Sequence, residues 1–266
     1  MRRAGVVGSP IRHSLSPAMH RAAYAALGLD WRYDAVDVAA GELAEFVAGL
    51  DESWQGLSVT MPGKVEAAAL GVRHDEVTGT LGVANTLIRD GDTWVAANTD
   101  VPGALNALHA VGVRTAQTVR IIGAGATATS MLLVASKLGA SRIELVVRDR
   151  ERALATLALA GRLGLDADAS LLSEPVGEPM DVVVNTAPGL PFAGRTHEFV
   201  GATRVCVFDV LYDPWPSPLL ESAQSEGVAV VSGLDLLAHQ AALQVHLMTG
   251  ELVDPDLLHA AALAAR

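Results

Sequence analysis

Short apolar runs alternate with amphipathic stretches along nearly the whole chain, and that alternation leaves few folds open. Strand-like runs fall at residues 3–8, 31–36, 55–59, 83–88, 94–97, 119–122, 142–147, 181–185, 204–209 and 228–231. Apolar positions with helical spacing fill 16–26, 42–50, 127–138, 151–163, 234–249 and 254–264. Strands separated by helices cannot pair as hairpins, so they pair side by side through crossovers. The pattern therefore predicts an α/β fold with a mostly parallel sheet. A length of 266 residues suits about two such domains. Ser16-Pro17 reads as a helix start, with Ser as N-cap and Pro at the first helical position.

Half of the residues are hydrophobic but only 4% are aromatic, so the core has to be built from Ala, Val and Leu. Lys and Arg total 19 against 30 Asp and Glu, a net charge of −11. Such a surface repels phosphate backbones, and no nucleic-acid partner is expected. Cys206 is the only cysteine, so an intrachain disulfide is impossible and a reducing compartment is suited. No apolar stretch reaches the ~18 residues of a membrane span. Arg2-Arg3 opens the chain, but Gly8-Ser9-Pro10 interrupts the apolar run too early for a cleavable signal. The expectation is a soluble cytoplasmic protein with a small-molecule substrate and no membrane partner, either a monomer or a homodimer.

Gly123-x-Gly125-x-x-Ala128 follows one strand-like run and opens a helix, the context in which this motif carries weight. Gly123 permits the tight turn, Gly125 lets a pyrophosphate approach the backbone, and the small Ala128 lets helix pack on strand. Ala124, Ala126 and Thr127 complete the loop, whose free N–H groups and helix dipole favour an anion. The next strand ends in Arg148-Asp149-Arg150 with Arg152 just beyond. Arginines there favour the 2′-phosphate of NADP, whereas a carboxylate favours the ribose hydroxyls of NAD. This chain offers both, so NADP is favoured and NAD stays open.

Lys64 follows a strand and a Pro-containing turn, and Asp100 ends another strand. In an open α/β sheet the carboxyl ends of strands line the ligand crevice, so both residues can face one cleft. A surface lysine and a helix-capping aspartate fit the same positions.

Six ordered blocks give these residues a context. They are Gly8-Ser9-Pro10-Ile11-x-His13-Ser14-x-Ser16-Pro17, Val59-Thr60-Met61-Pro62-x-Lys64, Gly82-x-x-Asn85-Thr86, Asn98-Thr99-Asp100, Asp209-x-x-Tyr212-x-Pro214-x-x-Ser217-Pro218-Leu219 and Gly233-Leu234-x-x-Leu237-x-x-Gln240-Ala241. Together they resemble the shikimate dehydrogenases, actinobacterial members in style, over about residues 5–246. The resemblance implies reversible reduction of 3-dehydroshikimate to shikimate with NADPH, a step of aromatic amino acid biosynthesis. It implies that Ser14 and Ser16 bind the substrate carboxylate, and that Thr60, Asn85 and Gln240 hold ring hydroxyls. Lys64 and Asp100 would act at the reacting oxygen and its neighbour, with Tyr212 lining the pocket. The cofactor would also meet Thr186, Val210 and Gly233. The chain departs from the family pattern at Ala126, at Val147 and at Asp149, an acid that the NAD-using quinate/shikimate relatives can carry there. Ser217 stands for a common Thr and keeps the hydroxyl.

Other features read as structural. His239 and His246 lie seven apart on one predicted helix, but no carboxylate or cysteine completes a ligand set, so no metal is expected. Cys206 reads as a small buried hydrophobe. The sequence thus predicts an N-terminal α/β substrate domain, residues 1–100 plus 234–266, and a Rossmann-type NADP-binding domain, residues 101–233, with the active cleft between them. Two alternatives remain: an NAD-preferring quinate/shikimate dehydrogenase, and a nucleotide-sensing regulator without turnover.

Overall fold

The structure is a computed structural model that describes residues 1–189 and 193–266. Two compact units emerge, Met1–Gly103 with Leu237–Arg266, and Ala104–Leu236.

The first unit begins with β1 (Arg2–Gly8), α1 (Ser16–Ala26), β2 (Trp31–Asp37), α2 (Leu43–Ala48) and β3 (Trp54–Val59). It continues through α3 (Lys64–Leu70), β4 (Arg73–His74), α4 (Glu76–Leu81), β5 (Thr86–Asp90), β6 (Thr93–Ala97) and the start of α5 (Asp100–Ala110). Its six strands lie in the order β2-β1-β3-β5-β6-β4. β5 alone runs against the rest, pairing antiparallel with both β3 and β6, so the sheet is mostly parallel as expected. Val7, Leu57, Leu87 and Trp94 are buried together with Ala67 and Ala96, a core kept thin by small side chains.

Ser16 corrects one expectation. It is the first helical residue, not the N-cap, which is Leu15 and carries no side-chain cap bond. Leu15 already has helical angles (φ −85°, ψ −7°), so the helix starts one residue before the Ser-Pro signal. The hydroxyl that meets this turn is that of Ser14, which accepts from the Ser16 N–H at 3.4 Å.

The second unit contains β7 (Thr118–Ile122), α6 (Ala126–Lys137), β8 (Arg142–Val147), α7 (Leu154–Arg162), β9 (Asp166–Leu171) and β10 (Met180–Asn185). It ends with α8 (Thr196–Gly201), β11 (Thr203–Asp209), α9 (Pro218–Ser225), β12 (Ala229–Ser232) and the start of α10 (Gly233–Thr249), after which α11 (Pro255–Ala264) closes the chain. The strand order is β12-β11-β10-β7-β8-β9 and every pairing is parallel. Numbered within the unit and read from the β9 edge this is 3-2-1-4-5-6, the doubly wound order, with its switch point between β7 and β10.

β9 was not expected. Its Asp166-Ala-Asp168 alternation has low strand propensity, but it is an edge strand, and Arg142 of β8 takes Asp166 at 2.9 Å and Asp168 at 3.2 Å. Arg120 on β7 is fully buried, and its charge is met by Glu144 on β8 at 2.6 Å and by the Glu178 carbonyl at 3.0 Å.

His20 on α1 is fully buried. Its Nδ1–H donates to the Ser16 carbonyl at 3.0 Å, and its ring stacks on Tyr33 with centroids 4.0 Å apart. Burial pushes its pKa down from 6.5 to about 4, so the folded protein holds it neutral. The unfolded chain takes up this proton below about pH 6.5 and the folded one does not. Stability should therefore be intact above about pH 6.5 and fall as pH drops toward 4, by up to ~3 kcal/mol from this group. Urea unfolding of wild type and His20→Phe at several pH values checks this, the variant being expected to lose that part of the slope.

Candidate active site

The carboxyl ends of β1, β3 and β6 and the beginning of the reversed β5 share one edge of the first sheet. That edge presents Ser14 and Ser16 after β1, Thr60 and Lys64 after β3, Asn85 before β5 and Asp100 after β6. Lys64 opens α3 and Asp100 opens α5, and their side chains meet, Lys64 Nζ to Asp100 Oδ2 at 2.6 Å. Both are largely withdrawn from solvent, with 14% and 9% of their side chains exposed. Asp100 is free for this because Asn98 does the capping. Asn98 Oδ1 accepts from the N–H groups of Asp100 at 3.0 Å and Val101 at 3.3 Å. Asp100 is therefore not the helix-capping residue that its position also allowed.

Asn85 joins the pair from below. Its Nδ2 donates to Asp100 Oδ1 at 2.8 Å and Thr99 Oγ1 at 2.9 Å, and reaches Gln240 Oε1 at 3.3 Å. Its Oδ1 accepts from the Thr99 N–H at 2.8 Å and the Thr86 hydroxyl at 2.9 Å. Gln240, on α10, donates to the Leu237 carbonyl at 3.0 Å. Lys64, Asp100, Asn85 and Gln240, expected from the sequence at four separated places, thus form one hydrogen-bonded cluster. Ser16 is buried, and its carbonyl accepts from His20 Nδ1 at 3.0 Å. Ser14 and Thr60 are half-buried on the same edge, and among the described residues neither side chain bonds to the Lys64–Asp100 pair. Tyr212 belongs to the second unit, in the segment after β11, where burial pushes its phenol up.

Several members of the cluster were missed by sequence reasoning. Thr99, Ser58 and Gln244 carry no charge to announce them. Gln244 was detectable: it lies four residues after Gln240, one turn along the same helix face.

The second unit builds a different site at its switch point. Gly123 leaves β7 at φ +113°, and a Cβ there would collide with Thr186 Oγ1 at the end of β10. Thr186 anchors the turn, donating its hydroxyl to the Ile122 carbonyl at 2.8 Å. Gly125 is different: a Cβ built on it meets no heavy atom within 4 Å, so protein packing does not require its smallness. It is the N-cap of α6 without a side-chain bond, which leaves the N–H groups of Ala126, Thr127 and Ala128 without a side-chain cap. Ala128 is buried, as the helix–strand contact requires. Gly233 opens α10 against the carbonyls of Val210 and Leu211, where any Cβ would collide. An open glycine at an uncapped helix start fits a pyrophosphate.

The charged turn after β8 is more divided than the sequence reading held. Asp149 spends its carboxylate on the Glu151 N–H at 2.9 Å, and Arg150 pairs with Glu174 at 2.8 Å. Arg148 and Arg152 are exposed and enter no ion pair among the described residues. Two arginines rather than three are left to meet a phosphate. Cys206 is buried, its thiol pushed up to about 12 by burial. No group of three or more His, Cys, Asp or Glu able to hold a metal occurs among the described residues. Nor is any described helix long and apolar enough to cross a membrane.

A doubly wound parallel sheet with a glycine turn at its switch point defines a Rossmann-type dinucleotide fold, joined here to a separate α/β unit with a lysine–carboxylate centre. Comparison with known proteins narrows this. The model of the shikimate dehydrogenase substrate binding domain matches residues 6–87. The NADP(+) shikimate dehydrogenase of Citrifermentans bemidjiense is 36% identical over 282 residues, covering 99% of this chain and 94% of that protein. Mycobacterium tuberculosis shikimate dehydrogenase superposes with a TM-score of 0.88 at 35% identity, over 99% of this chain and 100% of that one. The Thermus thermophilus enzyme, solved with NADP(H) and shikimate, gives 0.85 at 29% identity over the full length of both. The chain belongs to the shikimate dehydrogenase family.

Gly103 on α5 sets the spacing of the first site, since a Cβ there would stand 2.9 Å from the Gln240 backbone nitrogen and Cβ. Gly103→Ala should cost about 1–3 kcal/mol, the usual range for overpacking. Gly79→Ala, in α4 with nothing within 4 Å, should instead stabilise by up to ~1 kcal/mol. Denaturant unfolding of the two variants checks the contrast.

Proposed function

We propose that this chain is an NADP-dependent shikimate dehydrogenase, catalysing the reversible reduction of 3-dehydroshikimate to shikimate. The Lys64 ammonium, bonded to Asp100 within a buried amide cluster, carries the reading. Ketone reduction builds negative charge on the carbonyl oxygen. Lys64 stabilises that charge by hydrogen bonding and gives the oxygen a proton; in the reverse direction it takes the proton back. Asp100 orients Lys64 and sits beside the reacting position. Asn85, Gln240 and Thr60 supply donors and acceptors for the ring hydroxyls. Ser14 and Ser16 bind the carboxylate, local donors that have to overcome the net charge of −11.

The substrate-binding role falls to the unit of residues 1–103 and 237–266, the cofactor role to residues 104–236. NADPH, when bound, supplies the hydride for the carbonyl carbon. The loop 123–128 would hold its pyrophosphate, Arg148 and Arg152 its 2′-phosphate, and Thr186, Val210 and Gly233 its nicotinamide end. The use of the Asp149 carboxylate as a cap for the Glu151 N–H supports NADP over NAD. A single buried cysteine suits the cytoplasm.

Shikimate-dependent reduction of NADP and NAD, with quinate alongside, tests the proposal. Faster turnover of shikimate with NADP supports it. Equal or better quinate rates with NAD would identify a quinate/shikimate enzyme, and no turnover would identify a nucleotide-sensing regulator. Lys64→Ala should lower kcat by roughly 10²–10⁴-fold; wild-type turnover in that variant would remove Lys64 from the mechanism. Arg148→Ala should raise KM for NADP more than for NAD. Equal changes would show that Arg148 does not read the 2′-phosphate.

A further inference from the structure

We propose that Gln244 is a positioning residue that sets the orientation of the Lys64–Asp100 pair without touching it. The inference rests on the reading of that pair as the proton-handling groups. Gln244 lies on α10, 1% exposed, and each polar atom of its amide is used. Oε1 accepts from the Ser58 hydroxyl at 2.7 Å. Nε2 donates to the Asn85 carbonyl at 3.1 Å and to Thr86 Oγ1 at 3.0 Å. A reversed amide would press Oε1 against the Asn85 carbonyl, so only one orientation is satisfied.

That orientation is passed on by directional bonds. Because Thr86 Oγ1 accepts from Gln244, its single proton is free to go to Asn85 Oδ1 at 2.9 Å. The Thr99 N–H meets the same oxygen at 2.8 Å. Asn85 Oδ1 is therefore held away from the carboxylate, and Nδ2 is the end presented to Asp100 Oδ1 at 2.8 Å. The second oxygen of Asp100 is left for Lys64 at 2.6 Å. On its other side Gln244 is set by Ser58, which accepts from the Tyr33 hydroxyl at 2.6 Å. Tyr33 stacks on His20, which holds the Ser16 carbonyl. One chain of buried groups thus runs from the Ser16 turn to Lys64, with Gln244 in its middle.

The test uses the full chain, with Gln244→Met filling the space without hydrogen bonds and Gln244→Glu keeping the shape. In shikimate-dependent NADP reduction, both should lower kcat about 10- to 100-fold while KM for NADP changes less than about twofold. The carboxyl introduced by Gln244→Glu can donate only when protonated, and burial raises its pKa. Its kcat relative to wild type should climb as pH falls from about 9 to about 6, while the same ratio for Gln244→Met stays flat. The titratable groups facing this chain, Tyr33, His20, Asp100 and Lys64, are common to all three proteins, so the difference between the variants isolates position 244.

A folded Gln244→Met enzyme with wild-type kcat overturns the inference. So does a flat ratio for both variants, which assigns any loss to packing. If Gln244→Met does not fold, the pH ratio of Gln244→Glu decides alone. Wild type without shikimate turnover overturns the functional reading and this inference with it. Wild type with turnover beside an unaffected Gln244→Met overturns this inference only.

Discussion

A largely withdrawn lysine and a buried carboxylate 2.6 Å apart impose conditions on everything around them. Taking both charges out of water costs more than their attraction returns unless the remaining lone pairs and protons also find partners. The first unit meets that condition by concentrating amides and hydroxyls beneath Asp100. Asn98 relieves the aspartate of helix capping, Asn85 takes its second oxygen, and Thr86, Thr99 and two glutamines satisfy Asn85 in turn. The glycine at 103 and the small residues of the core follow from the same demand, because α5 and α10 must approach until side chains this short can reach one another.

The second unit meets a different constraint. Its site is made of backbone, and its side chains matter mainly by being small or absent. Gly123 is required by its φ and by Thr186, Gly233 by two carbonyls, while Gly125 has open space beside it. The difference separates glycines that serve the fold from one whose missing side chain serves a ligand. Asp209 shows the converse economy. It is fully buried, its carboxyl pushed up by burial, and it accepts from Asn185, Ser217 and the Leu211 N–H, which fixes the ends of β10 and β11 beneath the switch point.

Much of this was legible in the residues because the signals were local. β8 was expected at 142–147 and occupies those residues, and the apolar runs of β7, β10 and β11 are buried on both faces, which makes them unmistakable. Legibility failed where tertiary context decides. β9 alternates acids with alanines and becomes a strand through Arg142. The Ser-Pro pairs at 16 and 217 both stand at helix starts, but only Ser217 caps its helix, accepting from the Leu220 N–H at 3.3 Å, while Ser16 sits a residue inside. At the candidate site, charged and glycine positions could be named from spacing. Ser58 and Thr99 could not, because an uncharged hydrogen-bonding role depends on neighbours elsewhere in the chain, and Gln244 was marked only by its place one turn after Gln240.

The reversed strand β5 has a consequence for how the site comes together. Running against its neighbours, it delivers Asn85 from its beginning, so Asn85 meets Thr99 and Asp100 across a hairpin, only 14 and 15 positions along the chain. The glutamines arrive from 155 and 159 positions away, after the whole of the second unit has been laid down in between. Closing the short loop costs little entropy and closing the long one costs more. The hairpin half of the centre therefore closes through a short loop, whereas the grip of α10 on it needs a segment 155 positions further along, which a nascent chain leaving the ribosome does not yet have when the hairpin emerges.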